Sequence, residues 1–324
     1  MGYDNSISRT DAASLIPQGD ADEIMTSVEE MNPILSLSRR TPNMVVGQEK
    51  QPVMSALASA YFITGDTSLI QTTEVNWKDK YLDPEGLAAI IPIPRSVIRD
   101  SKYDIIGQCK PELIKAFSLA ISNAAIRGVN IPASWTTNMG AAGLIAGSLA
   151  AGNTVSLAGG YTDMYEAILG EKADGTAGLF GKLEDSGFMV SGSIASTSMK
   201  RKFRNVRDEK GQPIFVADPK EKTPYSLDGA PCYFPTDGSV PDTSALLIAG
   251  QWDQVVWAYR EEIRYEILKE AVIQDASGKI IYNLAQQDMV ALKAVMYIAI
   301  ALPNPINRAQ PTEASRYPIA VMTK

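Results

Sequence analysis

The sequence predicts an α+β fold, on three observations. Hydrophobic residues make up 45% and charged residues 21% of 324 positions, a globular mixture that excludes a disordered chain. The 24 glycines and 19 prolines punctuate many short segments and are too many for a helical bundle. One strongly helical stretch then stands among runs of mostly β character.

Taken in order, residues 1–19 form a loose polar arm. Met1 to Leu15 lacks a basic segment followed by an apolar one, so no signal peptide is expected. A helix starts at Asp20, capped with the help of Glu23, carries the apolar stripe Ile24, Val28 and Met31, and ends at Pro33. It is too short to stand alone in water and needs a surface to pack on. From Val45 to Pro94 the pattern turns to β. Ala60–Ile63 and Leu87–Ile93 bracket the polar stretch Thr64 to Asp83, as two arms of a projecting hairpin would. Such a hairpin cannot bury itself and implies a partner surface. The clearest helix begins at Pro111, whose missing N–H costs nothing in a first turn. Leu113, Ile114, Phe117, Ile121, Ala124 and Ala125 recur at helical spacing, and Gly128 stops the rod after about 25 Å. Lys102 to Gln108 extends it backwards with a kink at Pro111.

Beyond Gly128 the sequence predicts loops to about Gly160, including the glycine-rich run Gly140–Gly147 as a flexible loop. Helices follow at Asp163–Leu169 and Thr197–Val206, with a strand at Phe188–Val190 between them and a turn at Asp208–Gly211. Strand-like runs are Ile214–Ala217, Cys232–Phe234, Ser244–Ala249, Gln254–Tyr259 and Ile263–Leu268. The chain closes with Asn283–Leu302 and a last strand, Tyr317–Met322.

The search for chemistry returns little. With no histidine, the commonest general base is absent, and so is every Ser-His, Cys-His or H-E-x-x-H arrangement. Cys109 and Cys232 cannot form a four-ligand zinc site and read as free thiols. The Gly140–Gly147 run has no strand before it, and the nearby Gly181-Lys182 is followed by leucine, so neither a dinucleotide nor a Walker loop is indicated. Carboxylate pairs such as Glu29–Glu30, Asp79 with Asp83 and Glu261–Glu262 lack the spacing of a calcium loop. A pair brought together by the fold stays open at this point. The net charge of −7 argues against a nucleic-acid gripping face; the one basic cluster, Lys200, Arg201, Lys202, Arg204 and Arg207, reads as a solvated helix face. Trp77, Trp135, Trp252 and Trp257 read as core or interface anchors. Met139–Gly160 is too weakly apolar and Val290–Leu302 too short to span a membrane. No catalytic residue, cofactor or metal is expected.

The order of features carries a resemblance. Ser14-Leu-Ile-Pro17, Asp22-Glu-Ile-Met and Asn32-Pro-Ile-Leu-Ser-Leu-Ser-Arg-Arg40 resemble the N-terminal arm of capsid proteins with the Hong Kong 97-type fold. Ala60-Tyr-Phe-Ile, the polar hairpin, Leu87-Ala-Ala-Ile-Ile-Pro-Ile-Pro and Val97-Ile-Arg-Asp-Ser101 are similar to that family's extended loop and its return. The helix ending at Gly128 is similar to its spine helix. Lys210–Phe215, Leu227–Pro235, Gly250–Trp257 and Asp288–Ala294 continue the likeness, in order, through the rest of the chain.

The resemblance implies an N-terminal arm (1–44), an extended loop with flanking strands (45–94), a peripheral domain with the spine helix (95–130), an axial domain (131–250), returning peripheral strands (251–310) and a C-terminal strand (311–324). It implies a major capsid protein that assembles as pentamers and hexamers into an icosahedral virion shell around double-stranded DNA, without sequence-specific contacts. Assembly would take place in the host cytoplasm. A scaffolding protein, a portal and decoration proteins are the other partners it implies. A separate scaffold or a prior cleavage is expected, because only a short segment precedes Ser14. A Lys–Asn weld between subunits is not expected: Lys50, Lys78 and Lys80 flank the hairpin and Asn283 is present, but Gln287 stands where a glutamate base would be needed. The interaction residues implied are Tyr61, Phe62 and Trp77 on the hairpin and Ile24, Val28, Met31, Ile34 and Leu35 on the arm, against the plainer reading that some fill the subunit's own core. An encapsulin-type nanocompartment shell and a carboxylate-based α+β enzyme are the alternatives.

Overall fold

The computed structural model describes residues 32–60, 62, 69, 72–101, 105–207, 212, 215 and 225–324. The helix expected from Asp20, the turn at Asp208–Gly211 and most of the run Ile214–Ala217 lie outside them.

Among the described residues two sheets organise the chain. The first has the order β1 (Arg39–Arg40), β10 (Val256–Leu268), β13 (Met289–Ala301) and β4 (Glu85–Pro94), with β1 parallel to β10 and the rest antiparallel. At thirteen residues each, β10 and β13 run for about 40 Å. The sequence reads β10 as two separate runs. The chain forms one strand whose register shifts between Tyr259 and Glu261 and again between Glu261 and Arg264. These irregularities break the alternation that a sequence pattern depends on.

The second sheet has the order β5 (Thr154–Ser156), β14 (Ile319–Thr323), β9 (Leu247–Gly250), β6 (Gly192–Ala195), β8 (Ala230–Tyr233) and β7 (Ser226–Leu227). Both of its faces are covered. Ile194, Ile248, Ile319 and Val321 point into the core shared with the first sheet. Their neighbours Ala195, Leu247, Ala249, Ala320 and Met322 point into a second core with Leu179, Phe180, Met199 and Phe203. The strict two-residue alternation along Ile319–Met322 is what lets one strand serve two cores. The expected strand at Phe188–Val190 begins four residues later, at Gly192, where the backbone finds Gly250 as partner.

A long helix, here α3 (Ile105–Ser122), lies against the first sheet, burying Leu113, Ile114, Phe117 and Ile121 beside Leu292, Met296 and Ile298. It continues through a wider π turn, Asn123–Arg127, and stops at Gly128, which has φ +69°. Pro111 therefore sits inside the helix and not in its first turn. An interior proline costs roughly 3 kcal/mol. The buried Ile105 and Ile106 on one side of it and the Leu113–Ile121 stripe on the other hold the helix continuous.

A short helix, α1 (Pro33–Leu37), starts at Pro33 with Asn32 as its cap, its side-chain oxygen accepting from the amides of Ile34 and Leu35. Two further expectations are corrected. The run 128–160 is not mainly loop, since it carries the helices α4 (Ala133–Met139) and α5 (Leu144–Ala151). The glycines there permit close approach. A side chain on Gly147 would collide with the Tyr317 ring, and one on Gly143 would meet the amide of Gly128. The hairpin is also built from other arms than expected. β2 (Glu49–Ala56) pairs with β3 (Asn76–Leu82), while Leu87–Ile93 belongs to β4 and pairs with β13.

Candidate intersubunit surface

β2 and β3 form a two-stranded ribbon, an arrangement that is marginal by itself in water. Its register sorts the side chains onto two faces. Met54 opposes Trp77, Pro52 opposes Asp79, and Lys50 opposes Tyr81; Val53 opposes Lys78, Gln51 opposes Lys80, and Glu49 opposes Leu82. The first set is exposed throughout, with Trp77 65% accessible, and its only charges neutralise each other through Lys50 and Asp79 at 2.7 Å. Its end away from the root, Pro52, Met54 and Trp77, is therefore an apolar strip facing solvent. Pro52 is tolerated because an edge strand has no ladder partner on its outer side.

The second face is the anchor. Leu82 is fully buried with Met44, Val256, Ala258, Ala299 and Ala301. Lys78 and Lys80 both reach Glu313, at 2.9 and 3.2 Å, and hold its carboxyl below the usual glutamate range. The amide of Ile306 donates to the Met54 carbonyl, and Arg308 Nη2 donates to the Ala58 carbonyl. At the ribbon's root, Asp83 accepts from Asn138 Nδ2 at 2.8 Å and Gln48 Nε2 at 2.6 Å, while its carbonyl accepts from Trp135 Nε1. Thus α4 and the segment 304–316 fix which way the ribbon projects.

That segment is organised by Arg316, which is 4% exposed. Its guanidinium donates to the carbonyls of Asn304, Gln310 and Pro311 and to Asn304 Oδ1. Among the described residues no salt bridge to Arg316 is formed; neutral oxygens satisfy it. Arg316 was not visible to sequence reasoning, because nothing about an arginine beside Tyr317 announces burial. Pro52, Met54, Tyr81 and Glu313 were missed because the apolar run Ala60–Ile63 drew the strand arm away from Glu49–Ala56, and Asp83 was read only as a carboxylate paired with Asp79.

The expected interaction residues divide. Phe62 and Trp77 are exposed. Ile34 and Leu35 are buried in the subunit's own core, with Trp257 Nε1 donating to the Leu35 carbonyl, so the plainer reading describes their position. Ile24, Val28, Met31 and Tyr61 lie outside the described residues. The basic residues of α8 (Thr197–Asn205) sit around a buried Met199 and Phe203, and Lys200, Arg201 and Arg204 are exposed. Trp135, Trp252 and Trp257 are buried anchors. Among the described residues no group of three or more Cys, Asp or Glu side chains could hold a metal ion, and no helix is long and apolar enough to cross a membrane.

Residues 12–307 match the phage capsid family. The chain belongs to that family. This capsid protein is 24% identical over 281 residues to the major capsid protein of Staphylococcus phage 80alpha, covering 86% of this chain and 78% of that one. It is also similar to a solved structure from Microbacterium phage Oxtober96, with a TM-score of 0.74 and 29% identity over 98% of this chain and 99% of the other. A structure from Mycobacterium phage Cain shares the fold at a TM-score of 0.73, 24% identity and 98% coverage of both chains. The family is one of structural shell proteins, not of enzymes. The Hong Kong 97-type fold class read from the sequence holds.

Proposed function

We propose that this capsid protein is the major, self-associating subunit of a tailed-phage shell, arranged as pentamers and hexamers in an icosahedral lattice around double-stranded DNA. The observation that carries the contact geometry is the ribbon, one face tied to the body by Leu82, Lys78 and Lys80 and the other left as the apolar strip Pro52, Met54 and Trp77. A strip of that kind is covered when a neighbouring subunit packs on it. Phe62 is also exposed and offers a further apolar contact, and the arm residues Ile24, Val28 and Met31 supply another. The phage origin of the relatives favours a genome-enclosing shell over a nanocompartment. A scaffolding protein and a portal are the partners such a shell needs, and assembly takes place in the host cytoplasm.

The test is the double variant Met54→Ser, Trp77→Ser, compared with wild type by size-exclusion chromatography and negative-stain electron microscopy. Shells or capsomer rings are expected from wild type, and a folded, unassembled subunit from the variant. A wild-type protein that stays monomeric with and without a co-expressed scaffold would refute the reading. Shells from the variant would move the contact elsewhere.

A further inference from the structure

A groove of about 760 Å³ lies between the outer side of α3, the start of α1 and the segment following β8. Leu119, Ala116, Pro33, Tyr233, Phe234 and Pro235 give it an apolar lining. The described chain begins at its edge. Asn32 is completely buried, with its Nδ2 donating to the Ser118 carbonyl of α3, and Pro33 and Ser36 are part of the groove wall. Whatever precedes Asn32 therefore starts out beside this groove.

We propose that the groove is the docking site of this chain's own arm, taking the side chains of Ile24, Val28 and Met31 in the subunit before it assembles. The covalent tether favours this occupant. The stripe recurs at four and three residues, and only Asn32 separates Met31 from Pro33 of the groove wall, so the tether is short. A short tether makes the effective concentration of the attached segment far higher than that of a separate chain. The lining itself is of mixed charge, with Lys115 paired to Glu112 at 2.6 Å and Asp237 also in the wall, so the docking contact is the apolar one. Docking covers the apolar lining without a second subunit and holds the arm back from neighbours until a competing contact releases it. This goes beyond the shell role proposed above and does not depend on the ribbon strip.

The experiment uses the full-length, unassembled chain. Hydrogen exchange is compared between wild type and Ile24→Asp, Val28→Asp, Met31→Asp, with the β10–β13 ladder as the internal check that the core is intact. Amides of Tyr233, Phe234 and Thr236 should exchange at least about tenfold faster in the variant, with the β10–β13 ladder unchanged. Equal rates would overturn the proposal. A second reading decides whose arm is held. In a Cys109→Ser background, Val28→Cys with Thr236→Cys should give an intrachain disulfide under mild oxidation. An interchain product would show the arm in a neighbour's groove and overturn the proposal as stated. Shell formation, scored separately by microscopy, reports on the capsid reading and not on this one.

Discussion

Replacing Arg316 by methionine tests how the ribbon is held. The guanidinium satisfies three backbone carbonyls, at Asn304, Gln310 and Pro311, from a position 4% exposed. Methionine keeps much of the buried volume and makes none of these bonds. Each orphaned acceptor costs about 1–3 kcal/mol when it stays dry. Gln310 and Pro311 are on a partly exposed loop and regain water, so the low end applies to them. Relief of the charge's own desolvation offsets a further part. The expected net loss is about 2–3 kcal/mol. With an urea dependence of roughly 3 kcal/mol per molar, the midpoint falls by somewhat under 1 M. The assay is urea unfolding of the unassembled subunit, followed by the fluorescence of buried Trp135, Trp252 and Trp257. Arg316→Lys should recover less than half of the loss, because one ammonium cannot reproduce the fork. A methionine variant within about 0.5 kcal/mol of wild type would refute the claim that Arg316 organises the 304–316 segment.

Glu313→Gln releases Lys78 and Lys80 and should speed exchange of the β2 and β3 amides a few-fold at neutral pH, the modest effect of a half-exposed pair. The carboxyl is held below its ordinary value of 4.5, so its contribution is full above about that pH and is lost as pH falls through the lower folded value. Wild type and variant should therefore converge in acid, and a difference that persists there would contradict the assignment. Gly128→Ala forces a side chain into φ +69° and against the Ala142 carbonyl. A cost of about 2 kcal/mol or more is expected, read as a fall of several degrees in Tm; an unchanged Tm would remove the glycine requirement at the end of the long helix.

Much of this fold was legible without coordinates, and the legible parts share a cause. The stripe Leu113–Ile121, the stop at Gly128 and the helix capped by Asp163 depend on residues within a few positions of each other. The β-hairpin was legible as an expectation of projection but not in its arms. Choosing Glu49–Ala56 over Ala60–Ile63 as the first strand depends on what opposes it, and Asn76–Leu82 is twenty residues or more away. The glycines at 143 and 147 read as loop because their purpose is to admit Gly128 and Tyr317, distant partners that no local window contains.

From the sequence alone came the α+β class, the absence of histidine chemistry, and an ordered set of motifs sufficient to place the chain among shell proteins. Composition and short-range periodicity carry that information, because helix and strand faces are set by neighbours three, four or two residues apart. Tertiary structure alone decided that Ile34 and Leu35 belong to the subunit's interior and that Trp77 faces outward beside Met54. It also decided that Arg316 is buried and that the two lysines of one ribbon face share Glu313. Each of these depends on which distant segment supplies the opposing surface, and burial is a property of that pairing, not of the residue.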